Sequence, residues 1–81
     1  MKINIRKSAI KDLQKINSID KKKIHSKILE LKNFPNTSNI KKLTKFEPAY
    51  RLRIGGYRVL FDVSESTIEI GRVFHRKDSY K

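Results

Sequence analysis

Apolar residues recur along this chain at two different periods, and each change of period marks an element boundary. Lys2 to Arg6 alternates, with Ile3 and Ile5 on one side, as in a short strand. From Ser8, a residue suited to capping a helix, the spacing lengthens, and Ile10, Leu13 and Ile16 make a helical stripe. Asn17-Ser18 breaks that stripe. Asp20 is expected to cap a second helix reaching about Asn33, with Ile24, Ile28 and Leu31 on one face and Lys21, Lys22, Lys23, Lys27 and Lys32 around the rest. Phe34-Pro35-Asn36 ends it. A polar connector is expected to about Pro48, anchored by Leu43 and Phe46.

Alternation returns in AYRLRIGGYRVLF, Ala49 to Phe61. A two-residue Gly55-Gly56 loop sets the register of a hairpin: Ile54 opposite Tyr57, Arg53 opposite Arg58, Leu52 opposite Val59 and Tyr50 opposite Phe61. A turn at Val63 to Ser66 leads to a last strand, Thr67 to Phe74. The order is β-α-α-β-β-β. It implies an α+β fold of one domain, 1–81, with both N-terminal helices packed on one face of a small, mainly antiparallel sheet.

Composition narrows the function. The chain has no cysteine, which excludes disulfides and cysteine-based metal sites. Its first ten residues are too interrupted by charge for a signal peptide, and no apolar run approaches the roughly 18 residues of a membrane helix. A soluble, cytoplasmic protein without cofactor or metal is expected. Lys and Arg number 20 against 8 Asp and Glu, a net charge of +12, which favours a polyanionic partner. The two cations are not spread alike. Residues 1–45 carry 12 Lys and 1 Arg, residues 46–81 carry 2 Lys and 5 Arg. Lysine enrichment alone accounts for a basic surface. Arginine gathered at one end suggests a site, because its planar fork grips two phosphate oxygens at once.

Alternation sends Tyr50, Leu52, Ile54, Tyr57, Val59 and Phe61 to one face of the hairpin, and Arg51, Arg53 and Arg58 to the other. Like charges opposite each other cost a few tenths of a kcal/mol up to about 1. An anionic ligand would justify that cost; a solvated face neutralised by Asp62 or Glu69 is the plainer alternative. In the tail, HRKDSYK, continued alternation from Ile68 and Ile70 puts His75 on the arginine face, although a bulge would exchange His75 and Arg76. Arg76, Lys77, Tyr80 and Lys81 lie just beyond. His25, among the lysines of the second helix, reads as merely exposed.

The segments YRLRIGGYRVLF and HRKDSY, in this order behind two helices, resemble the RelE toxins of toxin–antitoxin systems. That resemblance implies a metal-independent endoribonuclease that cuts mRNA on the ribosome and is neutralised by a cognate antitoxin, being a monomer alone or a hetero-oligomer with the antitoxin. The implied reaction is attack of a ribose 2′-hydroxyl on the adjacent phosphate, leaving a 2′,3′-cyclic phosphate and a 5′-hydroxyl. Arg51, Arg53 and Arg58 then correspond to the phosphate-binding positions, Arg76 to a leaving-group stabiliser and Tyr80 to a base-stacking or ribose-orienting residue, with Lys77 and Lys81 as further RNA contacts. Familiar members carry lysine where this chain has Arg51 and Arg53, and arginine does not act as a base. His75 or Tyr80 is therefore the expected proton acceptor. Two rivals share the basic surface: a ParE-type toxin that poisons gyrase without nuclease chemistry, and a passive RNA-binding module.

Overall fold

The computed structural model describes residues 1–43 and 49–78, the last by its backbone alone. Its elements are β1 (Lys2–Ile5), α1 (Lys7–Gln14), α2 (Ser18–Glu30), β2 (Ile40–Lys42), β3 (Tyr50–Ile54), β4 (Tyr57–Ser64) and β5 (Thr67–His75), with 3₁₀ turns at Leu31–Asn33 and Arg76–Asp78. The strands form one sheet in the order β1-β5-β4-β3-β2. Every neighbouring pair is antiparallel except β1 and β5, which run parallel. The α+β arrangement is the expected one, and all four hairpin pairs stand in the expected register.

Ala9 of α1, Ile24 and Ile28 of α2 and Leu31 just beyond meet Leu52, Val59, Phe61, Ile68, Ile70 and Val73 of the sheet in a single buried cluster. One sheet face therefore carries the core, and among the described residues the other carries no helix.

Four local expectations need correction. The connector contains a strand, β2, whose Ile40, Lys41 and Lys42 pair with Leu52, Arg51 and Tyr50. Leu43 closes that ladder by donating its N–H to the Ala49 carbonyl at 2.7 Å; Phe46 lies outside the described residues. Ser8 does not cap α1: Arg6 holds that position without a side-chain bond, and the Ser8 hydroxyl donates to the Gly71 carbonyl at 2.6 Å. Asn17, not Asp20, caps α2, its side-chain oxygen accepting the Asp20 N–H. Ile10 is 44% exposed, and Ala9 takes its place in the stripe with Leu13 and Ile16.

One irregularity decides the geometry of the tail. Phe61 faces Ile70 but Leu60 faces Arg72, so Gly71 is an extra residue bulged out of β5. β1 covers the outer edge of β5 only as far as Ile70, where the Arg6 N–H donates to the Ile70 carbonyl at 3.0 Å. Beyond the bulge α1 takes over: Asp12 Oδ2 accepts the Val73 N–H at 2.9 Å and Arg72 Nε at 2.7 Å, and Oδ1 accepts Arg72 Nη2 at 3.2 Å. Arg72 is more than half exposed, so its ion pair contributes little, whereas the Val73 N–H would be left half-buried without a partner. Asp12→Ala should therefore destabilise by about 1–3 kcal/mol, read as a lower urea midpoint at unchanged slope. Most of that loss should persist in high salt, since screening removes only the ion-pair part.

Candidate nucleic-acid interface

The helix-free face of the sheet presents two rows of side chains that run across the strands. Cross-strand pairing sets Lys41, Arg51, Leu60 and Arg72 in one row, from β2 to β5. It sets Arg53, Arg58 and Phe74 in the next, from β3 to β5. The first row spans three strand spacings, about 14 Å. Each row thus carries cations with one apolar side chain among them. Leu60 and Phe74 are only partly covered. An aromatic ring beside guanidinium groups offers a base something to stack on while phosphates are held alongside.

Two like-charged pairs stand directly opposite each other here, Lys41 with Arg51 and Arg53 with Arg58. Two described carboxylates near in sequence, Asp62 and Glu69, have bonds of their own. Asp62 accepts the Ala49 backbone N–H at 2.6 Å. Glu69 accepts the Asn4 amide at 2.8 Å and pairs with Arg6 at 3.5 Å. Arg6–Glu69, Lys27–Glu30 and Arg72–Asp12 form ion pairs among the described residues, and none of these three involves Arg51 or Arg53. Arg51 Nε is buried with no hydrogen-bond partner among the described residues. Arg58 directs Nη1 toward the Tyr57 carbonyl at 3.4 Å. Such a face is preorganised to receive an anion.

The tail departs from expectation. The Gly71 bulge shifts the alternation by one residue, so Phe74 joins the arginines and His75 falls opposite Tyr57 on the core side. There it borders a cavity of about 280 Å³ lined also by Asp20, Lys23, Ile24, Ile54, Gly55 and Gly56. His75 is thus removed from the arginine face, and its expected part as proton acceptor there does not fit its position. The available signal was Gly71 itself, since glycine inside a strand pattern often marks a bulge. Two shifted ionisations lie at the cavity. Hydrogen bonds from Asn17 and then Tyr57 hold the Asp20 carboxyl below its ordinary range. Burial, followed by the bond to Asp20, pushes the Tyr57 phenol above its own.

Arg76 and Lys77 are exposed in the 3₁₀ turn after β5, and the Arg76 N–H donates to the Gly56 carbonyl at 2.7 Å. Tyr80 and Lys81 lie outside the described residues. Lys41 and Phe74 were missed by sequence reasoning, the first because β2 was read as loop, the second because of the bulge. His25 is exposed as expected. Among the described residues no helix is long and apolar enough to cross a membrane.

A family model described as the ParE toxin of type II toxin–antitoxin systems matches residues 3–80. Toxin RelE3 of Methanocaldococcus jannaschii is 34% identical over 84 residues, covering 99% of this chain and 96% of that protein. This chain is a RelE-like toxin of that family. Its fold superimposes on the toxin–antitoxin complex RelB-RelE of Methanococcus jannaschii with a TM-score of 0.80 at 32% identity, covering 94% of this chain and 93% of the other. RelBE2 of Mycobacterium tuberculosis gives a TM-score of 0.79 at 26% identity, covering 93% and 96%. The isolated RelE toxin of E. coli, at 19% identity, shares the fold with a TM-score of 0.75.

Proposed function

We propose that this toxin cuts mRNA on the ribosome, by attack of a 2′-hydroxyl on the adjacent phosphate, and is silenced by a cognate antitoxin. One observation carries the reading: Arg51, Arg53 and Arg58 crowd one open face with Lys41 while the nearby carboxylates, Asp62 and Glu69, are committed to other partners. Fixed guanidinium donors suit the charge that builds on the non-bridging oxygens as the phosphate becomes five-coordinate. Phe74 suits a base, and Leu60 an apolar sugar edge. Arg76 is assigned to the leaving oxygen. With His75 on the far side of the sheet, Lys41 is the one cation in the two rows able to give up its proton and accept another, arginine being fixed in its charged form. Tyr80 keeps its expected part, stacking on a base, orienting the ribose or accepting the proton, with Lys77 and Lys81 as further RNA contacts.

RelE proteins of Methanococcus jannaschii, Mycobacterium tuberculosis and Pyrococcus horikoshii are each found with RelB as their antitoxin. The partner expected here is likewise a small antitoxin, acidic where it meets this +12 chain, forming a hetero-oligomer with it in the cytoplasm. The test is primer extension on mRNA in programmed ribosomes. Codon-positioned cuts ending in a 2′,3′-cyclic phosphate are expected, and none once antitoxin is added. Because the family model is described by ParE, gyrase-linked DNA breaks are the rival result, and their appearance without RNA cuts would overturn the proposal.

A further inference from the structure

His75 sits where two backbone bonds and two side chains converge at the foot of the tail. Its Nδ1 accepts the Lys77 N–H at 3.2 Å, and the preceding amide, that of Arg76, donates to the Gly56 carbonyl at 2.7 Å. Consecutive amides at the start of the turn are thus both tied to the hairpin end of the sheet. Since a backbone N–H only donates, Nδ1 is the bare nitrogen and the proton is on Nε2. Nε2 faces Gly56 so closely that a Cβ there would stand 2.7 Å from it. The two loop glycines therefore serve different needs. Gly55 takes a φ of 57°, the left-handed region, with open space around it; Gly56 makes room for the imidazole. Tyr57 braces the ring edge-on, centroids 5.1 Å apart at 88°, and its own hydroxyl donates to Asp20 Oδ2 at 3.0 Å. Asn17 donates to the same oxygen at 2.9 Å, anchoring the brace to the start of α2.

We propose that His75 is a positioning residue that acts through Arg76. The neutral imidazole, seated on Gly56 and braced by Tyr57, holds the 76–78 turn so that Arg76 is presented beside the arginine face, two residues after Phe74 pairs with Arg58. This role rests on the nuclease reading above. It requires an acceptor at residue 75. The charged and titratable groups around the ring are Asp20 and Lys23 from α2, Tyr57 from β4, and Arg76 and Lys77 of its own segment.

The test uses the full chain in the ribosome cleavage assay. His75→Ala should lower kcat by about ten- to hundredfold with KM nearly unchanged, the scale expected when a reacting group is misplaced by an ångström or so. His75→Asn should recover most of that loss, because an asparagine oxygen accepts the N–H two residues on as in an Asx turn. Gly56→Ala, which pushes the ring away, should lower kcat in the wild type but cost nothing further in His75→Ala. In the wild type the Lys77 amide should exchange slowly with solvent by NMR, and quickly in His75→Ala, a readout independent of cutting. An unchanged rate in His75→Ala beside an inactive Arg53→Ala overturns the positioning role alone. So does a His75→Asn protein as impaired as His75→Ala. Absence of cutting by the wild type overturns the nuclease reading, and the role of His75 with it.

Discussion

Arg53→Ala is expected to lower mRNA cutting by about 10²–10³-fold while leaving the protein as stable as before or slightly more so, the loss being that of one preorganised charge-stabilising donor. The two effects have opposite signs because Arg53 does opposite things in the two settings. In the free protein its guanidinium is exposed and stands across from Arg58. Removing it relieves a like-charge pair costing a few tenths of a kcal/mol up to about 1. Under the proposed function the same charge meets phosphate in the complex, and the repulsion becomes shared attraction. Arg53→Lys separates charge from shape. It keeps the cation but loses the fork, so its rate should fall between those of the wild type and Arg53→Ala. Cleavage rates and urea midpoints measured on the three proteins decide the matter. If activity and stability fall together, the arginine holds the sheet and its effect on cutting is indirect.

The parts of this fold that were legible in the sequence are those where pattern and turn chemistry agree. The hairpin combines strict alternation with a two-residue glycine loop, and a one-residue slip would part Tyr50 and Leu52 from Val59 and Phe61. α2 was legible because Ile24, Ile28 and Leu31 repeat at the helical period, and all three are buried. β2 was not. It is three residues long, two of them lysine, and it exists through pairing with β3, a tertiary contact that leaves no periodic trace. The helix starts were blurred because Ser8, Asn17, Ser18 and Asp20 are all competent caps, and the choice between them depends on what each side chain meets in the fold. Ser8 meets the carbonyl of Gly71 instead of its own helix.

The candidate site was legible in the same uneven way. Arg51, Arg53 and Arg58 were placed together because alternation places them; His75 was misplaced because one bulged glycine reverses the alternation after it. A period-2 argument holds only between irregularities, and each extra residue exchanges every side chain beyond it. The consequence here is chemical. It moves an imidazole from the arginine face to the hinge of the tail, and puts a phenyl ring among the cations.

Phe61→Ala should cost about 3–5 kcal/mol, the range for removing a buried aromatic ring. The ring is fully buried, stacked on Tyr50 with centroids 5.3 Å apart at 15°, and met edge-on by Phe34 at 5.9 Å and 87°. Phe34 also meets Tyr50 at 5.2 Å, so three rings from separate parts of the chain contact one another. Loss of the central one removes two aromatic pairs, each worth roughly 0.5–1.5 kcal/mol beyond the area it buries. The space is poorly placed to collapse, because Tyr50 and Ile70 on either side are held by the ladders of β3 and β5. Against the roughly 5–15 kcal/mol typical of a folded domain, the change should leave a substantial unfolded fraction at growth temperature. Phe61→Leu, which refills part of the space, should cost clearly less. Urea unfolding of the two variants at matched slope is the measurement; a loss under about 1.5 kcal/mol for Phe61→Ala would mean that the neighbours close over the gap. The effect on cutting should be indirect. Leu60, the preceding residue, lies in the row of Lys41, Arg51 and Arg72 on the opposite face, so Phe61 supports the cation face from beneath. Phe61→Ala should therefore cut at the wild-type rate per folded molecule in the cold, and ligand that binds only the folded form should raise its melting temperature as it does for the wild type.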